Sequence, residues 1–407
     1  MKRLLSLLLP AFLFVGAVFA GEAPSWDLDA LGRPPAVTPA PEVPSPEGLR
    51  SFYYEGLPYK GNPTKVFAFY GAPAGADAAH KVPAIVLVHG AGGTAFEAWV
   101  RLWVSRGYAA IAFDDEGQLP IGSSNKWTSH AEGGPRRADI ADLDKPLPDQ
   151  WMYHAVADTI LAHSLLRSFP EVDVDRIGIT GISWGGVVTS IVVGVDPRLK
   201  FAVPVYGCGF ISDDVDDGSR FVGQKATLEQ LSAWRTLWDP SHFLPQAKLP
   251  MLWVAGTNDF AFTLRAWQLS YRATSGPRTL SLRVRMPHAH GGPGESPEEI
   301  RAFADSVVNG GMPLAQVEPP IHEGEIVSSA YKSLSPIVSA ELNYTRDGGV
   351  WQKRQWVALS AKVEGGKVSA VLPLGTTVYY FSLVDQRGLL VTSEHEVLPG
   401  APSSVTP

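Results

Sequence analysis

One serine in this chain stands where a serine can act as a nucleophile. Arg176-Ile177-Gly178-Ile179-Thr180 reads as a short buried strand, and Gly181-Ile182-Ser183-Trp184-Gly185-Gly186 follows it before a helical pattern begins. A strand-to-helix turn this tight strains the serine backbone and lifts the hydroxyl clear of the sheet. Side chains at positions 181 and 185 would collide across that turn, so glycine is needed at both. The helix start adds outward-facing N–H groups and the positive end of a dipole.

A serine hydroxyl attacks only with a base beside it, and the base needs a carboxylate to orient it. Where a serine stands at such a turn, the acid and then the histidine follow it along the chain, past later strand ends. The apolar run Pro250–Ala255 leads into Gly256-Thr257-Asn258-Asp259, so Asp259 is the expected acid. Its position also suits a turn or cap residue, and the two roles are compatible. Asp239 is the weaker rival, because no clear strand precedes it. The run Leu280–Met286 leads into Pro287-His288-Ala289-His290-Gly291-Gly292. We take His290 as the base, since the glycines after it let the chain turn sharply, and keep His288 as the alternative base.

Acyl transfer also needs two donors preset for the tetrahedral intermediate. The N–H of Trp184 is one. The other is expected in His89-Gly90-Ala91-Gly92-Gly93, after a buried strand ending at Val88, with Ala91 the first choice and Gly90 the next. That loop lacks the lysine ending and the glycine spacing of a phosphate cradle. His89 is expected to pack behind the loop. His288 and His290 could point the same way, but no cysteine or carboxylate set completes a metal site, so we expect no metal and no cofactor.

The elements that would position these residues alternate. Strand-like runs at 84–88, 108–113, 176–180, 201–206, 250–255 and 280–286 are separated by helical patterns at 96–105, 151–167, 185–193, 263–273 and 297–308. Such alternation predicts a mostly parallel sheet with helices on both faces. After Gly311 the rhythm changes to strand-like runs at 337–344, 356–362, 368–372 and 378–384, split by glycine pairs, which predicts a small all-β sandwich of the immunoglobulin or fibronectin-III kind. Residues 21–50 hold seven prolines and read as a tether. We therefore divide the chain into a signal peptide (1–20), a Pro-rich tether (21–50), a catalytic domain (51–312) and a β-sandwich (313–400).

The signal reading rests on Lys2 and Arg3, the apolar run Leu4–Val18, and the small-residue end Val18-Phe19-Ala20. The run is short for a bilayer span, which needs about 20 residues, so we expect a secreted or periplasmic protein with no stable span after cleavage. A single cysteine, Cys208, rules out an intramolecular disulfide. A net charge of −7, with both signs spread along the 407 residues, excludes a phosphate-tracking surface and argues against nucleic acid. Two long polar insertions, 117–149 and 210–248, are expected to border the site, with Trp127 and Trp234 lining a substrate pocket.

Taken together, His89-Gly90 after a strand, the segment 181–186, Gly256-Thr257-Asn258-Asp259 and His290-Gly291-Gly292 resemble the α/β-hydrolase superfamily. Val172-Asp173-Val174-Asp175-Arg176-Ile177-Gly178 and Phe113-Asp114-Asp115-Glu116-Gly117-Gln118 make the chain most similar to its acetyl xylan esterase, cephalosporin-C deacetylase and dienelactone hydrolase branch, over about residues 60–310. There are departures. Glu116-Gly117 replaces an Arg-Gly, His290-Gly291 replaces a His-Glu pair, and Trp184 stands where glutamine is common. The resemblance implies a serine esterase acting on a small-molecule or glycan ester, with acetyl esters of carbohydrates as one substrate class. A serine peptidase of the prolyl-oligopeptidase kind and a catalytically dead glycan-binding protein are the alternatives.

Overall fold

The computed structural model describes residues 24–211, 220–221 and 224–399. The expected signal peptide lies outside these residues. The core is one nine-stranded sheet. Its strands are β1 (Val37–Pro39), β2 (Arg50–Tyr59), β3 (Asn62–Gly71), β4 (Val82–Val88), β5 (Ala109–Phe113), β6 (Val172–Ile182), β7 (Phe201–Val205), β8 (Met251–Gly256) and β9 (Arg278–Arg283), in the spatial order β1-β2-β3-β5-β4-β6-β7-β8-β9. The part from β5 to β9 is parallel, and β1–β3 form an antiparallel extension. The central strands are continuous apolar runs because helices cover both faces and leave no side for polar residues. β4, β5 and β7 are buried almost throughout.

Helix α1 (Glu97–Ser105), α2 (Trp151–Leu166), α3 (Trp184–Val195), α4 (Leu228–Leu237), α5 (Leu264–Ala273) and α6 (Glu298–Val308) connect or flank the strands. α2 is apolar nearly all round, and accordingly it is buried on nearly every side. The N-terminal segment covers part of it, which corrects the expectation that 21–50 is a tether. Trp26 stacks on Tyr153 with ring centroids 5.4 Å apart and donates from Nε1 to the Tyr153 carbonyl. Leu31 is buried, and its carbonyl accepts a hydrogen bond from Ser164. Val37–Pro39 pairs with β2. The prolines stiffen this segment, but Trp26 and Leu31 give it enough apolar surface to dock.

Beyond Gln316 every strand pairing is antiparallel. One sheet holds Ile326–Lys332 and Lys367–Val371, and a second holds Ile337–Thr345, Val357–Ser360, Val378–Asp385 and Leu390–Thr392. Val327, Leu342, Val368, Phe381 and Leu383 are buried in this part of the chain. It leans on β9, α5 and α6: Glu394 pairs with Arg272 and Arg278, and the Leu390 N–H donates to Glu299 Oε1. No helix among the described residues is long and apolar enough to cross a membrane.

If the N-terminal segment is a docked element, Trp26→Ala will lower unfolding stability by about 3 kcal/mol. A free tether would leave the denaturant midpoint where it is, so a urea titration of the two proteins decides between them.

Candidate active site

Ser183 sits between β6 and α3 with φ 58° and ψ −118°, a region that side-chain-bearing residues rarely adopt. The turn leaves no room for a Cβ on either flank. One at Gly181 would lie 2.0 Å from the Gly185 carbonyl oxygen, and one at Gly185 would lie 2.1 Å from that of Val88. The strain persists because the surroundings hold it: the Ser183 N–H donates to the Val205 carbonyl on β7. The hydroxyl makes no cap to its own helix, which leaves it to the site.

His288, and not His290, stands between Ser183 and Asp259. His288 Nε2 is 2.8 Å from Ser183 Oγ, and His288 Nδ1 is 2.7 Å from Asp259 Oδ2. Asp259 Oδ2 accepts a hydrogen bond from Nδ1–H, so Nε2 is left as an acceptor for the serine hydroxyl. The other carboxyl oxygen, Oδ1, accepts from the N–H groups of Ala261 and Phe262, so Asp259 holds a turn and His288 at once. Asp239 lies elsewhere, accepting from Phe210, Ile211 and Ser241 N–H groups.

The assignment of His290 as base is corrected by the same geometry. Its Nε2 accepts from the Gly90 N–H at 2.9 Å, and its Nδ1 faces Glu295 at 3.1 Å. Both ring nitrogens are thus engaged away from the serine. The glycines after His290 do allow a sharp turn, with Gly291 at φ 74°, but that turn brings Glu295 to His290. The imidazole of His288 is instead received by an aromatic slot. Tyr206 stacks on it at 4.4 Å, Phe262 lies parallel at 6.2 Å, and Phe260 leans over it at 4.7 Å. None of these three aromatics was singled out in the sequence. Tyr206 closes the strand run that ends at β7, and Phe260 and Phe262 follow the acid directly, which is the signal that was available.

The loop after β4 is fixed on every side. The Gly90 carbonyl accepts from the Gly93 N–H and faces His89 Nδ1; the Gly92 N–H donates to Glu116; the Gly92 carbonyl accepts from Asn125 N–H and Trp127 Nε1. Ala91 is exposed, and its N–H has no partner among the described residues. Trp184, the first residue of α3, packs edge-on between Trp151 and Trp234. Trp234 is fully buried, so it backs Trp184 and does not face a pocket as expected. Trp127 is half-buried against Phe96 and the loop after β4.

Behind that loop lies a buried set of acids. His89 faces Asp115 at 3.1 Å and Asp114 at 3.7 Å. His89, Asp115 and Glu116 offer metal-ligand atoms within 4.8 Å of one another, but those atoms are spent on protein partners. His89 Nε2 accepts from the Asp115 N–H, and Glu116 accepts from Gly92 and Gln118. Burial pushes Asp114 up to about 6 and Asp115 up to about 7, against the pull of His89. Burial, helped by Asp115 and Asp114, also raises Asp158 well above the ordinary carboxylate range.

These shifts set a sign. The folded state holds protons on these carboxyls that the unfolded chain gives up near 4, so their stabilisation is full below 4 and is lost as pH rises through 6 to 7. Unfolding free energy is therefore expected to fall between pH 5 and pH 8, and Asp158→Asn to flatten that slope, as chemical denaturation at several pH values will read.

The comparisons with known proteins bear on the fold and on residues 51–214. The family model described as acetyl xylan esterase (AXE1) matches residues 51–214. No curated protein sequence matches the chain. Among solved structures, the acetyl xylan esterase from Paenibacillus sp. R4 is 22% identical with a TM-score of 0.55, covering 69% of this chain and 92% of its own. Acetyl xylan esterase 1 from Thermoanaerobacterium sp. JW/SL YS485 is 18% identical with a TM-score of 0.49, covering 65% and 90%. Residues 51–214 thus match the acetyl xylan esterase family model, and the fold resembles that of the Paenibacillus acetyl xylan esterase.

Proposed function

We propose that this protein hydrolyses carboxylic esters through an acyl-enzyme on Ser183, with His288 as the base and Asp259 as its orienting acid. The observation that carries the reading is the unbroken line from Ser183 Oγ through His288 to Asp259, at 2.8 Å and 2.7 Å. His288 takes the hydroxyl proton as Oγ attacks the carbonyl carbon, and Asp259 stabilises the imidazolium. The N–H groups of Ala91 and Trp184 receive the oxyanion. His288 returns the proton to the leaving alcohol, and a water then repeats the sequence to release the acid.

The natural substrate is read as an acetylated carbohydrate. The matched family supports this, and so does Phe260. The leaving alcohol must sit beside His288, because His288 protonates it, and the Phe260 ring next to it is 66% exposed. An exposed aromatic face there suits stacking of a sugar ring. Export follows from Lys2, Arg3 and the apolar run to Ala20.

Turnover of acetylated xylan, p-nitrophenyl acetate and peptide anilides by the purified protein tests the reading. Ester turnover that falls by about 10⁴-fold or more in both Ser183→Ala and His288→Ala is the expected result; full activity in Ser183→Ala would overturn it, and anilide cleavage alone would turn it toward a peptidase. Phe260→Ala should raise KM for acetylated xylo-oligosaccharides about fivefold, the worth of roughly 1 kcal/mol of stacking, while KM for p-nitrophenyl acetate moves far less.

A further inference from the structure

His290 and Glu295 form a second histidine–carboxylate pair at the site, one that does not touch the serine. Its partner is the backbone. The Gly90 N–H donates to His290 Nε2 at 2.9 Å, so Nε2 must carry a lone pair and the ring proton must sit on Nδ1, where it faces Glu295 at 3.1 Å. Gly90 is the residue before Ala91, and the peptide that joins them carries the Ala91 N–H. With Gly90 and Gly92 N–H groups tied to His290 and Glu116, the exposed Ala91 between them has an N–H with no partner among the described residues. The approach is close: a Cβ on Gly90 would lie 3.4 Å from His290 Nε2 and 3.0 Å from Ser183 Cβ.

We infer that His290, aligned by Glu295, is a positioning residue that holds the loop after β4 so that the Ala91 N–H meets the oxyanion of the tetrahedral intermediate. This rests on the esterase reading above, and it assigns the second histidine of the His288-Ala289-His290 stretch a role distinct from proton transfer. The ring is held in place by Phe96 at 4.6 Å and Trp99 at 5.6 Å, both from the α1 side. The ionisable groups that face it are Glu295, His89 and His288. Arg106, at the end of α1, reaches the Glu295 carbonyl.

The pair has a pH consequence. A proton on Nε2 would point at the Gly90 N–H, donor against donor, and the clamp would open. Burial lowers the His290 pKa, against the pull of Glu295 and with a further push from the two other histidines. The clamp therefore stays closed through neutral pH and opens only on the acid side.

The test compares wild type, His290→Ala, His290→Gln and Ser183→Ala on p-nitrophenyl acetate. It also measures their inhibition by an aryl trifluoromethyl ketone. That ketone accepts Ser183 Oγ at its carbonyl carbon while His288 takes the proton, which leaves a tetrahedral oxyanion in the hole. His290→Ala is expected to lose about 10- to 100-fold in kcat with KM nearly unchanged, and to bind the ketone more weakly by a similar factor. Glutamine can accept the Gly90 N–H through its side-chain oxygen, so His290→Gln should recover most of kcat and of the ketone affinity. A His290→Gln enzyme as inactive as Ser183→Ala would make His290 the proton carrier and overturn the inference. So would a His290→Ala enzyme with unaltered kcat and ketone affinity, or one whose kcat and thermal midpoint fall while ketone affinity holds. Failure of wild type to turn over any ester would count against the esterase reading instead.

Discussion

The structure turns on one strained residue. Ser183 is held at positive φ because β6 must end and α3 must begin within a single residue. Everything near it is shaped by that requirement. Gly181 and Gly185 are glycines because the backbones of Gly185 and Val88 occupy the space a side chain would need, and the same crowding acts at Gly207, where a Cβ would lie 1.9 Å from the Ser183 carbonyl oxygen. Three neighbouring strand ends therefore converge on one point. β4 brings the loop with Ala91, β7 brings Tyr206, and β6 brings the serine. Strain of this kind costs of order 1–3 kcal/mol, and the buried central strands supply the rigidity that sustains it.

Two histidine–carboxylate pairs stand beside this point, their histidines carried by one short loop. They differ in what the outer nitrogen meets. His288 Nε2 meets a hydroxyl that can give up its proton, and His290 Nε2 meets a backbone N–H that cannot. On the reading proposed above, the same imidazole chemistry serves proton transfer in one case and fixed geometry in the other. The third histidine, His89, lies behind the loop among buried carboxyls and fixes its inner face. Oxyanion stabilisation depends on donors that need not move during the reaction. Here the loop that carries Ala91, the proposed donor, is pinned from the front by His290, from behind by Glu116 and from the side by Trp127.

What could be read in the sequence divides along lines of distance. The elbow is local: a β-branched run, two glycines around a serine and a helical pattern lie within a few residues of one another, and the structure places them as expected. The place of Asp259 beside a histidine was legible because a strand end predicts where a side chain enters the site. Choosing between two histidines two residues apart was not a local question. The preference for His290 weighed the glycines after it, whereas the outcome was set by Tyr206, Phe260 and Phe262, which come from other parts of the chain and form the slot that only residue 288 reaches. Glu295 escaped notice because its partner is created by the turn at Gly291. Residues 24–50 were misjudged for a related reason. Their prolines describe the stiffness of the segment, and the buried surface that Trp26 and Leu31 find on α2 is invisible without the fold.

The C-terminal sheets bear on the site through Asn258 and Arg285. Asn258 precedes the acid, and its Nδ2 points at the carbonyl oxygens of Trp351, Gln352 and Arg354 at 2.9–3.2 Å. Its Oδ1 accepts from Thr257, whose hydroxyl oxygen also accepts the Arg285 N–H from the chain that leads to His288. The Arg354 guanidinium lies over the Trp351 ring at 3.6 Å and is buried with it, so the carbonyls that receive Asn258 belong to a stiff turn. The loops that carry Asp259 and His288 are thereby fastened to each other and to the C-terminal sheets by hydrogen bonds that touch neither of those side chains. Ion pairs from Glu394 to Arg272 and Arg278 hold the same face nearby. The spacing between Asp259 and His288 is set from both directions: by the parallel pairing of β8 with β9 inside the catalytic sheet, and by a turn of the sandwich outside it.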